Sequence, residues 1–203
     1  MRRVIAIAGG SGSGKSTLAA ALVASMGEDH AALLPIDAYY HDLAHLGSEE
    51  REAVNFDHPD ALDLDLFAAH IDALRSGRAV ACPTYDFTSH CRLPDTANIS
   101  PRNTILVEGI LVASRADLRA TFDTLIFVAT DAELRWQRRL QRDQHERGRD
   151  LGSIERFWAR AEGTFAEWGA RAESTADLVV DGGQKIAVMT ELVSDYLSQQ
   201  HDE

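Results

Sequence analysis

Residues 9–17 read GGSGSGKST, and they follow directly on an apolar run over residues 4–8. The stretch matches the pattern G-x-x-x-x-G-K-S, in which a strand leads through a glycine-rich loop into a helix. In such a loop, backbone N–H groups and the positive end of the helix dipole surround a phosphate. A flexible linker is the alternative, but the helix-like residues 16–22 disfavour it. The stretch predicts a nucleotide-binding fold without naming a substrate.

The residues of this loop, called the P-loop below, have separate expected roles. Three glycines, at 9, 12 and 14, permit the backbone to wrap around phosphate. Lys15 would reach the β- and γ-phosphates, and the Ser16 hydroxyl would ligate Mg²⁺. The whole P-loop is therefore predicted to bind the nucleotide: Gly9, Gly10, Ser11, Gly12, Ser13, Gly14, Lys15, Ser16 and Thr17.

Composition limits the class of protein. The 203 residues are 45% hydrophobic, and no Pro-, Gly- or Ser-rich linker interrupts them, which predicts one domain over residues 1–203. The formal charge of −12 disfavours nucleic acid as a partner, because binding a phosphate backbone needs a basic face. No apolar run approaches the roughly 18 residues of a membrane-spanning helix, so we expect a cytoplasmic protein without a membrane partner.

Strand-like and helix-like segments alternate along the chain. Apolar runs typical of strands cover residues 4–8, 32–36, 104–107, 124–128 and 178–180. Helical patterns cover residues 63–76, 131–146, 153–174 and 184–197. This order predicts an α/β fold with a parallel sheet flanked by helices and with ligands at the carboxyl ends of the strands. A small β-hairpin is expected to project from it at about residues 78–99.

Two acidic residues follow predicted strands. Asp37 comes after the apolar residues 33–36, where a carboxylate could accept a proton from an acceptor hydroxyl or bind Mg²⁺. The alternative is an N-cap that starts a helix at Ala38. Glu108 ends an apolar strand, where a buried carboxylate needs a cation or a hydrogen-bonding partner. A metal site is favoured there over a purely structural carboxylate.

The segment DAELRWQRRLQRDQHERGRD, residues 131–150, is rich in arginine. Arg135, Arg139 and Arg142 share one helical face by their spacing, and further arginines follow at 147 and 149. Guanidinium groups match phosphate oxygens, so one interpretation is a lid over the nucleotide at about residues 135–150. The alternative is a solvated helix face with pairs such as Arg139 and Asp143.

Two segments between these elements are dense in aromatic, His and Asp residues. They read NFDHPD over residues 55–60 and PTYDFTSH over residues 83–90. Aromatic rings can stack on a planar group, Asp57 can accept hydrogen bonds from vicinal hydroxyls, and His90 can read a carbonyl edge. The alternative is turn-capping aspartates and core aromatic residues.

Taken together, GGSGSGKST, DAYY at 37–40, NFDHPDALD, PTYDFTSHCR, VEGIL and RDQHERGRD resemble the uridine kinase (uridine-cytidine kinase) family in order and spacing. The resemblance covers roughly residues 3–182. It implies transfer of the γ-phosphoryl group of ATP or GTP to the 5′-hydroxyl of uridine or cytidine in pyrimidine salvage, with Mg²⁺ as cofactor. It also implies a homotetramer and a pyrimidine nucleoside as the partner in binding.

The resemblance also implies roles for individual residues. Asp37 would be the catalytic base, with Lys15 and Arg142 as further catalytic residues. Ser16, Asp37 and Glu108 would hold the metal. The nucleotide would meet Arg147 and Arg149 of the lid. The acceptor contacts would be Tyr40, Asp57, Tyr85, Phe87, His90 and Arg139, with Asp57 and Arg139 on the ribose hydroxyls.

Two departures from the family pattern bear on the acceptor. Ala38 and Tyr39 stand where the family commonly has a small polar residue and Phe, and Phe157 stands at a polar position near the ribose. Phe157 could shift the preference among nucleosides or face the core. Rival interpretations are a related kinase of the nicotinamide riboside, pantothenate or phosphoribulose type and a non-catalytic nucleotide-binding protein. A GTPase switch is disfavoured, because neither D-x-x-G nor N-K-x-D follows the loop.

Overall fold

The computed structural model describes residues 2–200 of the chain. The strands are β1 (Arg3–Gly9), β2 (Ala31–Pro35), β3 (Val80–Asp86), β4 (Cys91–Ile99), β5 (Thr104–Glu108), β6 (Thr124–Ala129) and β7 (Leu178–Asp181). The α-helices are α1 (Lys15–Met26), α2 (Ser48–Ala53), α3 (Leu64–Arg75), α4 (Ala116–Ala120), α5 (Ala132–Glu146), α6 (Leu151–Thr164), α7 (Arg171–Ser174) and α8 (Ile186–Gln199). Among these residues, no helix is long and apolar enough to cross a membrane.

The main sheet confirms the predicted α/β architecture. Its strand order is β2-β5-β1-β6-β7, and every neighbouring pair is parallel. The five strands lie within one residue of the predicted bounds. Because Glu108 is the register partner of both Ile7 in β1 and Pro35 in β2, the residues that follow these strands meet at one edge of the sheet.

Side chains of β1 alternate between two cores. Val4 and Ala6 belong to the core on the α3 side, whereas Ile5 and Ile7 belong to the core under α1 and α8. Strand side chains alternate with a period of two, so both faces of a central strand must be apolar to be covered by helices. This burial holds β1 rigidly at the base of the P-loop.

The predicted helix over residues 153–174 is divided in the structure. α6 ends at Thr164, and a π-helical turn over Phe165–Gly169 leads to α7. Ala170 N–H donates to the Phe165 carbonyl at 2.7 Å, which closes the wider turn. A Cβ at Gly169 would lie 2.5 Å from the Phe165 ring, so glycine permits this close packing. The helices α2 and α4, of six and five residues, were not predicted, because a hydrophobic period is hard to detect over so short a length.

The predicted hairpin is formed by β3 and β4, which pair antiparallel with a register shift between Pro83 and Thr84. In its turn, Asp86 accepts from the N–H of Thr88 at 2.9 Å. His90, the last residue of the turn, has φ of +55°, a left-handed conformation that few non-glycine residues adopt. The hairpin turns the aromatic residues of this segment toward the carboxyl edge of the main sheet.

Candidate active site

The P-loop forms the expected strand, loop and helix. Gly14 caps α1 with φ of +98°, and its carbonyl accepts from Leu18 N–H at 2.9 Å. Gly12 has φ of +77°, and a Cβ there would overlap the carbonyl oxygen of Arg135. A cavity of about 650 Å³, called the loop-side cavity, opens along Lys15 and Ser16. Its volume falls within the range of small-molecule sites.

The other end of the P-loop packs against protein. A Cβ at Gly9 would lie 2.8 Å from the Val128 carbonyl, and one at Gly10 would lie 2.6 Å from Arg135 Nη1. The Ser13 hydroxyl is buried and has no hydrogen-bond partner among the described residues. These two glycines therefore let the loop lie close to β6 and α5.

Two carboxylates meet the P-loop at the sheet edge. The Ser16 hydroxyl donates to Glu108 Oε2 at 3.0 Å, and Glu108 is buried. Burial raises the pKa of the Glu108 carboxyl, Lys15 opposes the rise, and Asp37 adds to it. Asp37 lies inside a 3₁₀ turn over Ile36–Tyr39 that begins after Pro35, so the alternative of an N-cap at Asp37 is not observed.

This corner fits a magnesium ion that is shared with a nucleotide. Across residues 2–200, no three His, Cys, Asp or Glu side chains gather closely enough to hold a metal by themselves. Mg²⁺ often takes only one or two carboxylates and completes its coordination with phosphates and water. Asp37 and Glu108 would supply two carboxylates, and Ser16 would add a hydroxyl oxygen.

A second cavity, called the aromatic cavity, contains the predicted acceptor residues. It holds only about 50 Å³, far below the roughly 300 Å³ of a typical small-molecule site. The predicted residues that line it are Ser11, Lys15, Asp37, Tyr40, Asp57, Tyr85, Phe87, His90, Arg139, Arg142, Arg147 and Arg149. Segments far apart in the chain thus meet around one small space next to the P-loop.

The aromatic rings form a packed wall. Phe56 stacks on His90 with ring centroids 4.4 Å apart and planes 17° apart. Tyr85 lies 5.1 Å from Tyr40 and 5.4 Å from Phe87. Phe56 was given no role from its motif; its ring contacts with His90 and with Tyr40, 5.6 Å away, place it in the wall. Burial, with Arg149 and Arg147 nearby, lowers the pKa of His90 from 6.5 to about 4, which keeps its ring neutral near pH 7.

Several polar groups in this wall are buried without a protein partner. The Tyr85 hydroxyl and His90 Nδ1 have no hydrogen-bond partner within the described part of the chain. Burial raises the pKa of Asp57 above its ordinary value, and Arg139 opposes this rise. Leaving a buried donor or acceptor unsatisfied costs about 1–3 kcal/mol. Such groups fit a ligand with polar edges.

The two family departures have different outcomes. Tyr39 is fully buried, and its hydroxyl lies 2.8 Å from His70 Nδ1 in the core, away from the aromatic cavity. Phe157 lines the cavity, with the Arg149 guanidinium 4.4 Å above its ring. The alternative that Phe157 faces only the core is therefore not observed.

The arginines of α5 divide between two sites. Arg139 and Arg142 line the aromatic cavity, whereas Arg135 forms a two-pronged ion pair with Glu162 at 2.6 and 2.7 Å behind the P-loop. Arg135 and Arg139 both lie on the buried side of α5, as their spacing predicts, but Arg135 pairs with Glu162 and does not line the aromatic cavity. The pair of Arg139 and Asp143 is present at 3.6 Å, but it is buried and not solvated.

Two further features of α5 were not predicted, the contact of Arg138 with the P-loop and the burial of Asp143 among several arginines. Arg138 Nη1 donates to the carbonyls of Ser13 at 3.3 Å and Gly182 at 2.9 Å. Asp143 is fully buried among arginines. Their arginine-rich segment was noted, but spacing along a helix does not say which neighbour each side chain meets.

A parallel sheet, a P-loop with a buried lysine and two carboxylates at the adjoining sheet edge define a P-loop phosphotransferase. The chain belongs to the phosphoribulokinase / uridine kinase family, whose sequence pattern matches residues 4–189.

Similar proteins agree with this membership. A uridine kinase of Chloroflexus aurantiacus is 46% identical over 191 residues, which cover 94% of this chain and 91% of that one. A uridine kinase of Salmonella newport is 35% identical over 201 residues, covering 97% and 94%. The solved phosphoribulokinase from Rhodobacter spheroides shares the fold, with a TM-score of 0.64 at 18% identity and coverage of 90% and 73%.

Proposed function

We propose that this chain is a nucleoside kinase that transfers the γ-phosphoryl group of ATP or GTP to the 5′-hydroxyl of uridine or cytidine. The observation that carries the proposal is the aromatic cavity, where Tyr85 and His90 offer unpartnered polar atoms within an aromatic wall beside Lys15 and Asp37. The uridine kinase relatives, at 46% and 35% identity over nearly the whole chain, support the same conclusion.

On the donor side, the P-loop would wrap the phosphates of the nucleotide. The loop-side cavity is lined by Lys15, Ser16, Thr17 and Arg142, which suits an extended triphosphate. Ser16, Asp37 and Glu108 would hold Mg²⁺, which would neutralise charge on the transferring phosphoryl group. Lys15 and Arg142 would stabilise the same charge from the protein. Arg147 and Arg149, expected to meet the nucleotide, line the aromatic cavity and not the loop-side cavity, so they would reach the phosphates from the acceptor side.

On the acceptor side, the polar groups that line the aromatic cavity have assigned roles. Asp57 would accept hydrogen bonds from the 2′- and 3′-hydroxyls of the ribose, and Arg139 would donate to them. Tyr85 and His90 would bond the edge of the base, since the neutral His90 offers one donor and one acceptor nitrogen. Tyr40 and Phe87 would pack against the sugar and the base.

Asp37 would act on the proton of the acceptor. It lines the aromatic cavity together with Lys15, so a 5′-hydroxyl bound there would lie near both the carboxylate and the phosphate site. As the oxygen attacks the γ-phosphorus, its proton would pass to the Asp37 carboxylate while the bond to the leaving nucleoside diphosphate breaks. A nucleoside that fills the narrow aromatic cavity would exclude water, which favours transfer over hydrolysis.

The phosphoribulose and pantothenate rivals fit less well. A phosphorylated sugar or a flexible acid would leave the stacked rings of Phe56 and His90 without a planar partner. A non-catalytic protein would not need Lys15, Asp37 and Glu108 together at one edge of the sheet. The homotetramer, the single domain over residues 1–203 and the cytoplasmic location remain predictions.

A coupled phosphorylation assay across a panel of acceptors tests the proposal. We expect turnover of uridine or cytidine with ATP or GTP and Mg²⁺, and none of ribulose 5-phosphate or pantothenate. Removal of Mg²⁺ by a chelator should abolish turnover. Turnover of ribulose 5-phosphate or pantothenate alone, or no turnover of any nucleoside, would overturn the assignment.

A further inference from the structure

Asp143 is a fully buried carboxylate on α5 for which the proposed mechanism has no use. Four guanidinium groups, called the arginine cluster, surround it. Asp143 Oδ1 lies 2.8 Å from Arg142 Nη2 and 3.7 Å from Arg147 Nη1, and Asp143 Oδ2 lies 3.6 Å from Arg139 Nε and 3.4 Å from Arg149 Nη1. Each carboxylate oxygen therefore serves two arginines.

The arginine cluster also faces the aromatic cavity, because all four of its members line that space. Two members are braced by rings, since the guanidinium of Arg147 lies 4.5 Å above Phe87 and that of Arg149 lies 4.4 Å above Phe157. The Arg149 N–H also donates to the Asp143 carbonyl at 3.1 Å, which folds the segment after α5 back onto the helix. Asp143 thus contacts arginines both of α5 and of the segment that follows it, at Arg147 and Arg149.

Four like charges in one place repel one another unless a counter-charge lies among them. Burial lowers the pKa of Arg147, and Arg142 lowers it further, which shows the strain of gathering these groups. Burial would raise the pKa of Asp143, but Arg142, Arg147 and Arg139 together hold it below its ordinary value. Asp143 therefore stays ionised.

A purely structural role explains this arrangement poorly. Burying a carboxylate with arginines seldom adds stability over an apolar group of similar volume, because both charges lose their hydration. The lost hydration of the buried charges is explained if the arginines must be held beside a cavity that receives an anion.

We propose that Asp143 is a positioning residue that holds the arginine cluster together at the edge of the aromatic cavity, ready for an incoming phosphoryl group. The inference rests on the proposed function for the identity of that anion. The carboxylate both orients the guanidinium groups and cancels part of their charge. Without it, the cluster would bind a ground-state anion more tightly and stabilise the transferring phosphoryl group less well.

The test compares sulfate binding and turnover in the wild type and in Asp143→Asn, which keeps the side-chain shape and removes the charge. Calorimetric titration with inorganic sulfate should give a dissociation constant about fivefold or more lower in the variant, because the cluster gains one unit of positive charge. The kcat for nucleoside phosphorylation should fall about tenfold or more, while the KM for the nucleotide stays level or falls. A lid that is merely disordered would weaken sulfate binding, nucleotide binding and turnover together.

Glu133→Gln is the matched control, because Glu133 is an exposed acid on the same helix and its loss changes the net charge equally. Its sulfate affinity and kcat should stay within about twofold of the wild type, since exposed charges are screened. An Asp143→Asn protein that folds but binds sulfate no more tightly than the wild type would overturn the proposal. So would an equal gain in Glu133→Gln.

Asp143→Glu supplies the test if the asparagine variant does not fold. It retains the negative charge, so sulfate affinity should remain within about twofold of the wild type. A gain of about fivefold there would contradict the inference, because the counter-charge would still be present. Sulfate binding can be measured without a nucleoside. If no nucleoside is a substrate, the proposed function fails, but the sulfate affinities of the variants still test the role of Asp143.

Discussion

At the scale of single residues, Asp37 and Glu108 show how strand register brings chemistry together. Glu108 ends β5 opposite Pro35, and Asp37 lies two residues beyond that partner. The buried Glu108 carboxyl accepts a hydrogen bond from Ser16. Asp37 lines the aromatic cavity, and we assign it as the base that acts on the acceptor.

Replacing Asp37 with Asn tests this assignment. We expect kcat to fall by about 10² or more, because an amide cannot accept the proton of the acceptor hydroxyl. Affinity for the nucleotide, measured by calorimetry without nucleoside, should change by less than about threefold if Asp37 acts mainly on the acceptor. Asp29→Asn is the control, since Asp29 is 95% exposed and distant from the site. Near-normal turnover of Asp37→Asn would refute the role as base.

His90 gives a prediction on stability and pH. Its pKa is about 4 in the folded chain and 6.5 ordinarily, so acidification protonates the histidine of the unfolded chain first. Its contribution to stability is therefore lost as the pH falls from about 6.5 towards 4. His90→Asn removes the titration and suits the left-handed backbone, with φ of +55°.

Urea unfolding of His90→Asn at pH 7 and pH 5 should show the difference. The wild type should lose about 1–2 kcal/mol more unfolding free energy on acidification than the variant does. His41→Asn, at an exposed histidine, should behave as the wild type. Equal losses in wild type and His90→Asn would show that His90 is not kept neutral by the fold.

At the scale of elements, α5 serves two neighbours with one arginine-rich sequence. Arg135 near its start pairs with Glu162 and supports the back of the P-loop, while Arg139 and Arg142 face the aromatic cavity. Arg135 also lies 5.3 Å from the centre of the Trp158 ring, so its contacts join α5 to α6. One helix thus contacts both the back of the P-loop and the aromatic cavity.

Glu162→Gln should weaken this junction. The neutral amide leaves the buried Arg135 without its counter-charge, so the unfolding free energy should fall by about 1–3 kcal/mol. Nucleotide affinity should fall as well, because Arg135 packs against Gly10 and Gly12. Urea unfolding and nucleotide titration measure the two effects. Glu155→Gln, at an exposed acid on the same helix as Glu162, should change neither quantity. Unchanged nucleotide binding in Glu162→Gln would show that the ion pair does not support the P-loop.

At the scale of the whole molecule, the two cavities differ in volume. The loop-side cavity holds about 650 Å³, whereas the aromatic cavity holds about 50 Å³. The contacts of Arg147 with Phe87 and of Arg149 with Phe157 join the lid to the hairpin and to α6 across the smaller space. We expect these elements to separate before a nucleoside fits, because the space is far smaller than a typical small-molecule site.

Stopped-flow tryptophan fluorescence tests this opening. Trp136 on α5 lies 5.5 Å from Trp158 on α6, so movement of the lid should change their emission. The observed rate on mixing with uridine should reach a plateau as the concentration rises, because opening limits entry. A nucleotide analogue, whose cavity is already open, should give a rate that rises linearly. A linear rate for uridine as well would contradict a closed resting cavity.

Much of the fold could be read from local patterns. The five strands of the main sheet, the P-loop and the hairpin follow from periodicity, glycine placement and apolar runs, each of which depends on neighbouring residues. The one division that was missed, within the predicted helix over residues 153–174, also depends on residues close together in the chain. The π-helical turn after Thr164 needs Gly169 to pack against Phe165, and helical periodicity does not signal that contact.

The candidate site could be predicted as a set of residues but not as a geometry. Asp37, Asp57, Tyr85 and His90 were identified because carboxylate, aromatic and imidazole groups stand out in short motifs. The stacking of Phe56 on His90 joins residues 34 positions apart, and its detection requires the packed chain.

By itself, the sequence determined the P-loop, the parallel α/β order and the residue types at the strand ends, because these depend on chemistry carried within short segments. Only the tertiary structure decided that Arg135 pairs with Glu162, that Asp143 gathers the arginine cluster and that the aromatic cavity is narrow. These contacts depend on how α5, α6 and the hairpin pack on one another. Helical spacing gives the direction of a side chain but not the group that it meets.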